Sequence, residues 1–148
     1  ARLTASVLKE QGFKTTVITD NMVAWTMSQK DIDLFTSAAD TICMDGYIVN
    51  KVGTLQIAIL CKHFGIPYFV TGIPDVDKLK KDIIIEERNP NEVLEFNNLK
   101  NTLNGVEAYY PAFDITPPYL INGVVTDKKI FSPYNLDEYF KDEVEQYY

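Results

Sequence analysis

The chain has 148 residues, of which 46% are hydrophobic and 24% are charged, which suits one globular domain or one part of a larger one. Its 14 Lys and Arg residues against 21 Asp and Glu residues give a formal net charge of −7. This charge argues against nucleic acid as the main partner, because phosphate neutralisation needs a basic face. No apolar run approaches the ~20 residues of a membrane span.

The first third of the chain predicts a helix, a strand and a second helix. Ala1 to Gln11 has amphipathic spacing and is followed by Gly12, a common helix stop. This helix is already under way at the first residue, so we expect the chain to be one part of a longer protein. The β-branched segment Lys14 to Asp20 predicts a strand, and Asn21 to Lys30 has helical spacing.

Alternating segments continue through the middle of the chain. Leu34 to Ala39 predicts a strand, Asn50 to Phe64 predicts a helix that ends at Gly65, and Pro67 to Thr71 predicts another strand. Strands and helices that alternate with short connections imply a parallel sheet with right-handed crossovers. We therefore expect an α/β, Rossmann-like three-layer domain with a mainly parallel sheet.

The second half is less regular. Asp82 to Glu87 predicts a strand, and Asn91 to Lys100 is polar and predicts a loop or a weak helix. Pro111 to Pro117 combines prolines with aromatics and predicts an ordered loop that docks against a partner. Gly123 to Phe131 predicts a strand pair, or one strand with a turn at Asp127-Lys128, and Pro133 to Tyr147 predicts a helix. No composition shift marks a second domain, so residues 1–148 are expected to form one domain.

Two positions are candidates for chemistry. Asp40 follows a predicted strand at the edge where parallel sheets bind ligands, although aspartate there often only caps a helix or orders a loop. Asn50 and Lys51 open a predicted helix, where backbone N–H groups and the helix dipole favour an anion such as phosphate. The ordinary alternative is a helix cap followed by an exposed lysine.

The two cysteines, Cys43 and Cys61, have neither the number nor the spacing of a disulfide framework or a metal motif. No histidine stands at motif spacing from either, so no thiol nucleophile is predicted. Two isolated cysteines fit a reducing compartment, and we expect a cytoplasmic protein, with the nucleus also possible. No metal site is expected.

Seven segments together resemble the 5-methylthioribose-1-phosphate isomerases of methionine salvage, across nearly the whole chain up to about Phe131. Taken in order, they are Ala1-Arg2-Leu3-Thr4-Ala5, Ile18-Thr19-Asp20-Asn21-Met22, Ala39-Asp40, Asn50-Lys51-Val52-Gly53-Thr54, Gly65-Ile66-Pro67-Tyr68, Ile85-Glu86-Glu87-Arg88 and Pro111-Ala112-Phe113-Asp114-Ile115-Thr116-Pro117. One such block is weak evidence, whereas several in register are specific.

The resemblance implies an aldose–ketose isomerase that converts 5-methylthioribose 1-phosphate into 5-methylthioribulose 1-phosphate without a cofactor. It implies that Asp40 is the catalytic acid beneath an apolar wall, that Asn50 and Lys51 bind the substrate phosphate, and that a catalytic cysteine lies upstream. The chain would be the C-terminal part, about two-fifths, of a two-domain, homodimeric enzyme, packed against its own N-terminal part.

Three alternatives stay open. Ribose-1,5-bisphosphate isomerases resemble the chain, as do non-catalytic regulatory subunits of a guanine-nucleotide exchange factor of translation initiation. The regulatory subunits generally lack an aspartate followed ten residues later by Asn-Lys, which Asp40 and Asn50-Lys51 provide. A generic nucleotide-binding domain is the third, although G-x-G-x-x-G is absent. The chain departs from the family pattern at Ala38 and Tyr47, which could reshape the pocket.

Overall fold

The computed structural model describes residues 2–97 and 99–141. These residues fall into two compact units, Ala1–Ile32 and Asp33–Tyr148. Among the described residues, no helix is both long enough and apolar enough to cross a membrane.

The first unit is helical. Helix α1 spans Arg2–Glu10, and a 3-10 turn at Asp20–Met22 leads into helix α2 at Val23–Gln29. Both predicted helices are thus confirmed to within a few residues at their ends. The predicted strand over Lys14 to Asp20 is wrong, since residues 13–19 adopt no regular structure. A strand needs a partner for its backbone N–H and C=O groups, and a local sequence pattern does not supply one.

The second unit contains every described strand. The strands are β1 (Phe35–Ala38), β2 (Thr41–Ile42), β3 (Ile48–Lys51), β4 (Tyr68–Thr71), β5 (Glu95–Phe96), β6 (Leu99–Lys100), β7 (Phe113–Thr116), β8 (Gly123–Val125) and β9 (Ile130–Phe131). The helices are α3 (Thr54–Phe64) and α4 (Asn91–Leu94).

A mainly parallel sheet forms the core of this unit. Its strand order is β1-β4-β8-β9, with β1, β4 and β8 parallel and β9 antiparallel. Tyr68, Val70 and Val124 are fully buried in it. The Tyr68 ring stacks on Phe35 with centroids 4.6 Å apart, and its hydroxyl lies 2.7 Å from Ser37 Oγ. The expected mixed α/β fold with a mainly parallel sheet is confirmed.

A second, antiparallel sheet was not predicted. It has the order β2-β3-β7, so β3 is paired along both of its edges. Two predictions fail here. The helix begins at Thr54 rather than Asn50, and Pro111 to Pro117 contains strand β7 instead of being only a loop. Both errors have one cause, since β3 and β7 form by pairing with each other across about sixty residues of sequence.

The remaining elements agree in part with their predictions. The antiparallel pair of β8 and β9 confirms the predicted strand pair in Gly123 to Phe131. Asp82 to Glu87 forms no strand, and only Glu87 makes an isolated bridge, to Pro111. The predicted helix over Pro133 to Tyr147 is a 3-10 helix at Leu136–Phe140, and its final residues lie outside the described range.

Gly46 offers a direct test of how the second sheet packs. Its φ is +83°, and a Cβ added there would overlap the carbonyl oxygen of Pro133. We expect Gly46→Ala to lower the thermal midpoint clearly, since a 1 kcal/mol loss shifts a domain of this size by about 2–4 °C. Gly105→Ala is the matched control, because Gly105 has φ +88° but open space around its Cβ position. Equal midpoints for the two variants would contradict the close approach of Pro133.

Candidate ligand pocket

Asp40 lies where the two sheets meet. It follows β1 after one residue, at the carboxyl end of the parallel strands, and leads directly into β2. Its backbone N–H donates to the carbonyl oxygen of Val49 at 3.0 Å, which fixes the chain at this point. Polar groups at this edge of a parallel sheet are well placed to meet a ligand.

Asp40 also lines a pocket of about 390 Å³. Four of the lining residues are apolar and three are charged, so the pocket offers both an apolar wall and ionisable groups. The lining residues are Asp40, Thr41, Val49, Lys78, Asp82, Ile83, Ile84 and Phe113. The predicted apolar wall is therefore beside Asp40. The side chain itself is exposed, which corrects the expectation that Asp40 lies buried beneath that wall.

The segment that carries Lys78 and Asp82 is held by backbone hydrogen bonds. The Lys78 N–H donates to the carbonyl of Asp75 at 3.0 Å, and the Lys78 carbonyl accepts from Met44 N–H at 2.9 Å. Asp82 Oδ2 accepts from Leu79 N–H at 3.0 Å. An ordered loop thus contributes one lysine and a second aspartate to the pocket lining.

Lys51 reaches the same pocket through Phe113. The two residues are register partners at the end of the β3–β7 ladder, and Lys51 Nζ lies 4.3 Å from the centre of the Phe113 ring. Such a cation–π contact at an exposed site is worth about 0.5–1 kcal/mol. Phe113 lines the Asp40 pocket, so the exposed Lys51 contacts a residue of the pocket lining without being part of that lining.

Asn50 points to the opposite face of β3, because successive side chains of a strand alternate. Its Nδ2 donates to Thr54 Oγ1 at 3.0 Å, and that hydroxyl donates to the Lys51 carbonyl at 2.8 Å. Asn50 and Lys51 are adjacent in sequence but face different surroundings. The expectation that the pair opens a helix is wrong, because both residues belong to β3.

The N-terminus of α3 already has a carboxylate bound to it. Asp114 Oδ2 accepts the Gly53 N–H at 2.7 Å, and both Asp114 oxygens lie 3.1 Å from the Leu55 nitrogen. Burial raises the pKa of Asp114 above its ordinary value, and the two backbone N–H donors act against this rise. The helix end therefore receives its anion from strand β7.

Sequence reasoning assigned no site role to four residues of this region: Lys78, Asp82, Phe113 and Asp114. The alternation of apolar and polar residues over Phe113 to Thr116 is a strand signal that was available. The partner of that strand, and the helix end that Asp114 reaches, are about sixty residues away in sequence. No local pattern links such distant positions.

The two cysteines are packing residues in this structure. Both are buried, and burial raises the pKa of each thiol to about 11. Aspartates near Cys43 add to its rise in pKa. Within residues 2–97 and 99–141, no group of three or more His, Cys, Asp or Glu residues is arranged to hold a metal ion.

Taken together, the site is a polar-edged pocket at the carboxyl end of a parallel sheet in a mixed α/β protein. Over residues 1–133 the chain matches the family described as the Initiation factor 2 subunit family. Because that match covers most of its length, the chain belongs to this family.

Proteins similar to this chain are named either as sugar-phosphate isomerases or as translation initiation factors. A methylthioribose-1-phosphate isomerase of Bacillus pumilus is 46% identical over 136 residues, which are 89% of this chain and 38% of that protein. The structure of 5-methylthioribose 1-phosphate isomerase from Pyrococcus horikoshii matches with a TM-score of 0.81 and 35% identity, over 93% of this chain and 41% of that one.

The other kind of name comes from translation. The subunit delta structure of translation initiation factor eIF-2B from A. fulgidus matches with a TM-score of 0.80 and 33% identity. That match covers 88% of this chain and 39% of the other. The chain thus spans about two-fifths of the length of the relatives it matches.

The raised thiol pKa values predict slow alkylation. At pH 8 we expect Cys43 and Cys61 to react with iodoacetamide at least ~100-fold more slowly in the folded chain than in guanidinium, because only the thiolate is nucleophilic. Mass spectrometry of the labelled chain over time measures both sites separately. Labelling of either cysteine at the unfolded rate would contradict the packing role.

Proposed function

We propose that this chain is the C-terminal part of an aldose–ketose isomerase that converts 5-methylthioribose 1-phosphate into 5-methylthioribulose 1-phosphate in methionine salvage. The observation that carries the proposal is the position of Asp40, an ionisable group at the carboxyl edge of the sheet beside a largely apolar pocket. The 46% identity to a protein named methylthioribose-1-phosphate isomerase supports it.

The proposed chemistry assigns a role to each candidate residue. Asp40 is the acid that protonates the ring oxygen of the sugar, so that the ring opens. The C2 hydrogen then moves to C1, by an enediol or as hydride, and the C2 hydroxyl releases its proton as the C2 carbonyl forms. This proton replaces the one that Asp40 donated, and the two carbons exchange oxidation state without a net oxidant or reductant. Lys51 binds the substrate with its ammonium group facing the phosphate, and Asn50, whose amide donates to Thr54 on the other face of β3, supports binding by fixing the end of that strand.

The pocket lining favours a sugar with an apolar group at its far end. Val49, Ile83 and Phe113 offer apolar surface that a methylthio group can bury, at roughly 25 cal/mol per Å². A second phosphate, as in ribose 1,5-bisphosphate, would meet this apolar surface with Lys78 as its nearest described cation in the lining. The bisphosphate is therefore the weaker candidate substrate.

A regulatory subunit of translation initiation is the second candidate function. The similarity to the A. fulgidus eIF-2B subunit favours it, because the two chains share a fold over 88% of the present one. In that case the pocket would bind a phosphosugar without converting it. In either case we propose that the protein is a cytoplasmic homodimer. We also propose that the N-terminal part of the same protein covers the Asp40 side chain, which is exposed in this chain.

Asp40→Asn in the complete protein tests the function. We expect kcat for 5-methylthioribose 1-phosphate to fall by about 10²–10⁴-fold while binding persists, because an amide occupies the same space but donates no acidic proton. The matched control is Asp45→Asn, an exposed carboxylate outside the pocket lining, which should retain turnover. Normal turnover by Asp40→Asn would show that Asp40 is not catalytic. If the unsubstituted protein binds the phosphosugar but does not convert it, the regulatory subunit is favoured.

Lys51→Ala tests the anion site. Loss of the ammonium group should raise KM by about tenfold or more with a smaller change in kcat, since a charge-assisted contact to phosphate contributes about 1.5–3 kcal/mol. Lys62→Ala removes an exposed lysine from the last turn of α3 and serves as the control. An unchanged KM for Lys51→Ala would show that the phosphate binds elsewhere.

A further inference from the structure

Asp114 ties strand β7 to the first turn of α3. Its carboxylate is the acceptor for two backbone donors, the Gly53 N–H at 2.7 Å and the Leu55 N–H at 3.1 Å. Donors in the first turn of a helix have no partner within the helix, so a carboxylate there both satisfies them and complements the helix dipole. This carboxylate comes from about sixty residues away in sequence, which makes it a tertiary cap.

The same residue stands opposite Asn50 in the β3–β7 ladder. The short segment between β3 and α3 is therefore fixed at both ends, by the ladder before it and by the Asp114 carboxylate after it. At the first residue of α3, the buried Thr54 hydroxyl accepts from the Asn50 amide and donates to the Lys51 carbonyl. The contacts of the Asn50 amide and the Lys51 carbonyl thus run through the first residue of α3, while the β3–β7 ladder holds the strand itself.

Gly53 makes this arrangement sensitive to the loss of the carboxylate. Its φ is +106°, in the region that glycine adopts easily, and glycine has many other conformations available. With Asp114 removed, the Gly53 and Leu55 N–H groups lose their partner at a half-buried position, and the turn can relax to recover hydrogen bonds with water. Relaxation would shift the carboxyl end of β3.

We propose that Asp114 is a positioning residue that holds the carboxyl end of β3, and with it Lys51, in place for the substrate phosphate, an inference that rests on the proposed function. By filling the end of α3 with its own carboxylate, Asp114 also directs the phosphate away from the helix and towards the Lys51 ammonium group on the Phe113 side. It contacts the helix end and not the reacting carbons, so it is not a catalytic residue.

Two substitutions in the complete protein separate its roles. Asp114→Ala should raise KM for 5-methylthioribose 1-phosphate by about tenfold with a kcat change of less than about threefold, because the binding groups move while Asp40 does not. Asp114→Asn should rescue most of the affinity, since an amide oxygen can accept both N–H groups. The dissociation constant from calorimetry with the same phosphosugar should follow KM.

Asn89→Ala is the matched control. The Asn89 side chain accepts the N–H of Asn91 at 3.1 Å at the start of α4, so this variant also removes a side-chain acceptor from a helix N-terminus. It should lower stability without changing KM. If Asp114→Ala folds and behaves in the same way, Asp114 is only a structural cap and the proposal is overturned.

The outcomes also separate this proposal from the proposed function. A wild-type protein that binds the phosphosugar without converting it would end the isomerase assignment, and the dissociation constants of the Asp114 variants would still decide the positioning role. If Asp114→Ala does not fold, Asp114→Ser takes its place, because a serine hydroxyl is too short to accept both N–H groups: a tenfold rise in its KM beside an unchanged KM for Asp114→Asn supports the proposal, and an unchanged KM for both variants overturns it. A wild-type protein that binds no phosphosugar would overturn both proposals.

Discussion

The pairing of β3 with β7 is the contact on which the rest of the site depends. Strand β3 is only four residues long, and it is paired along both edges, with β2 on one side and β7 on the other. Because its side chains alternate, it presents Lys51 to one face and Asn50 to the other. The ladder also sets Phe113 beneath the Lys51 ammonium group and brings Asp114 to the start of α3. A single pairing thus assembles a pocket wall, a cation and a helix cap.

The parallel part of the fold was predictable from local sequence for a physical reason. Buried parallel strands such as β4 carry short apolar runs, and α3 ends at Gly65, whose left-handed conformation is a known stop signal. These signals lie within the element they define. Asp40 was accessible to the same reasoning, because a strand end is local and the chemistry of sheet edges is general. The exposure of the Asp40 side chain could not be predicted in this way, since solvent access depends on every surrounding element.

The antiparallel sheet was not predicted because its strands, of two to four residues, are too short to show a clear strand pattern in the sequence. In Ile48 to Lys51 the sequence suits either a strand or the first turn of the following helix, and the choice is made by hydrogen bonds to residues 113–116. Lys14 to Asp20 shows the opposite error, since a strongly β-branched sequence stays irregular where it has no paired neighbour among the described residues. Strand propensity expresses fit to a pleated surface more than an independent preference of the backbone.

The location of Asp114 changes how an anion site at this helix should be understood. A helix end attracts an anion from any source, and here a carboxylate of the same protein is already bound there. A substrate phosphate would have to displace it and leave a half-buried carboxylate without its donors, which costs about 1–3 kcal/mol. Binding beside Lys51 avoids that cost and keeps the phosphate on the Phe113 side, the side of β3 that Asp40 shares through the pocket. Under the proposed function, the helix would therefore act on the substrate indirectly, by fixing the strand end that carries the lysine.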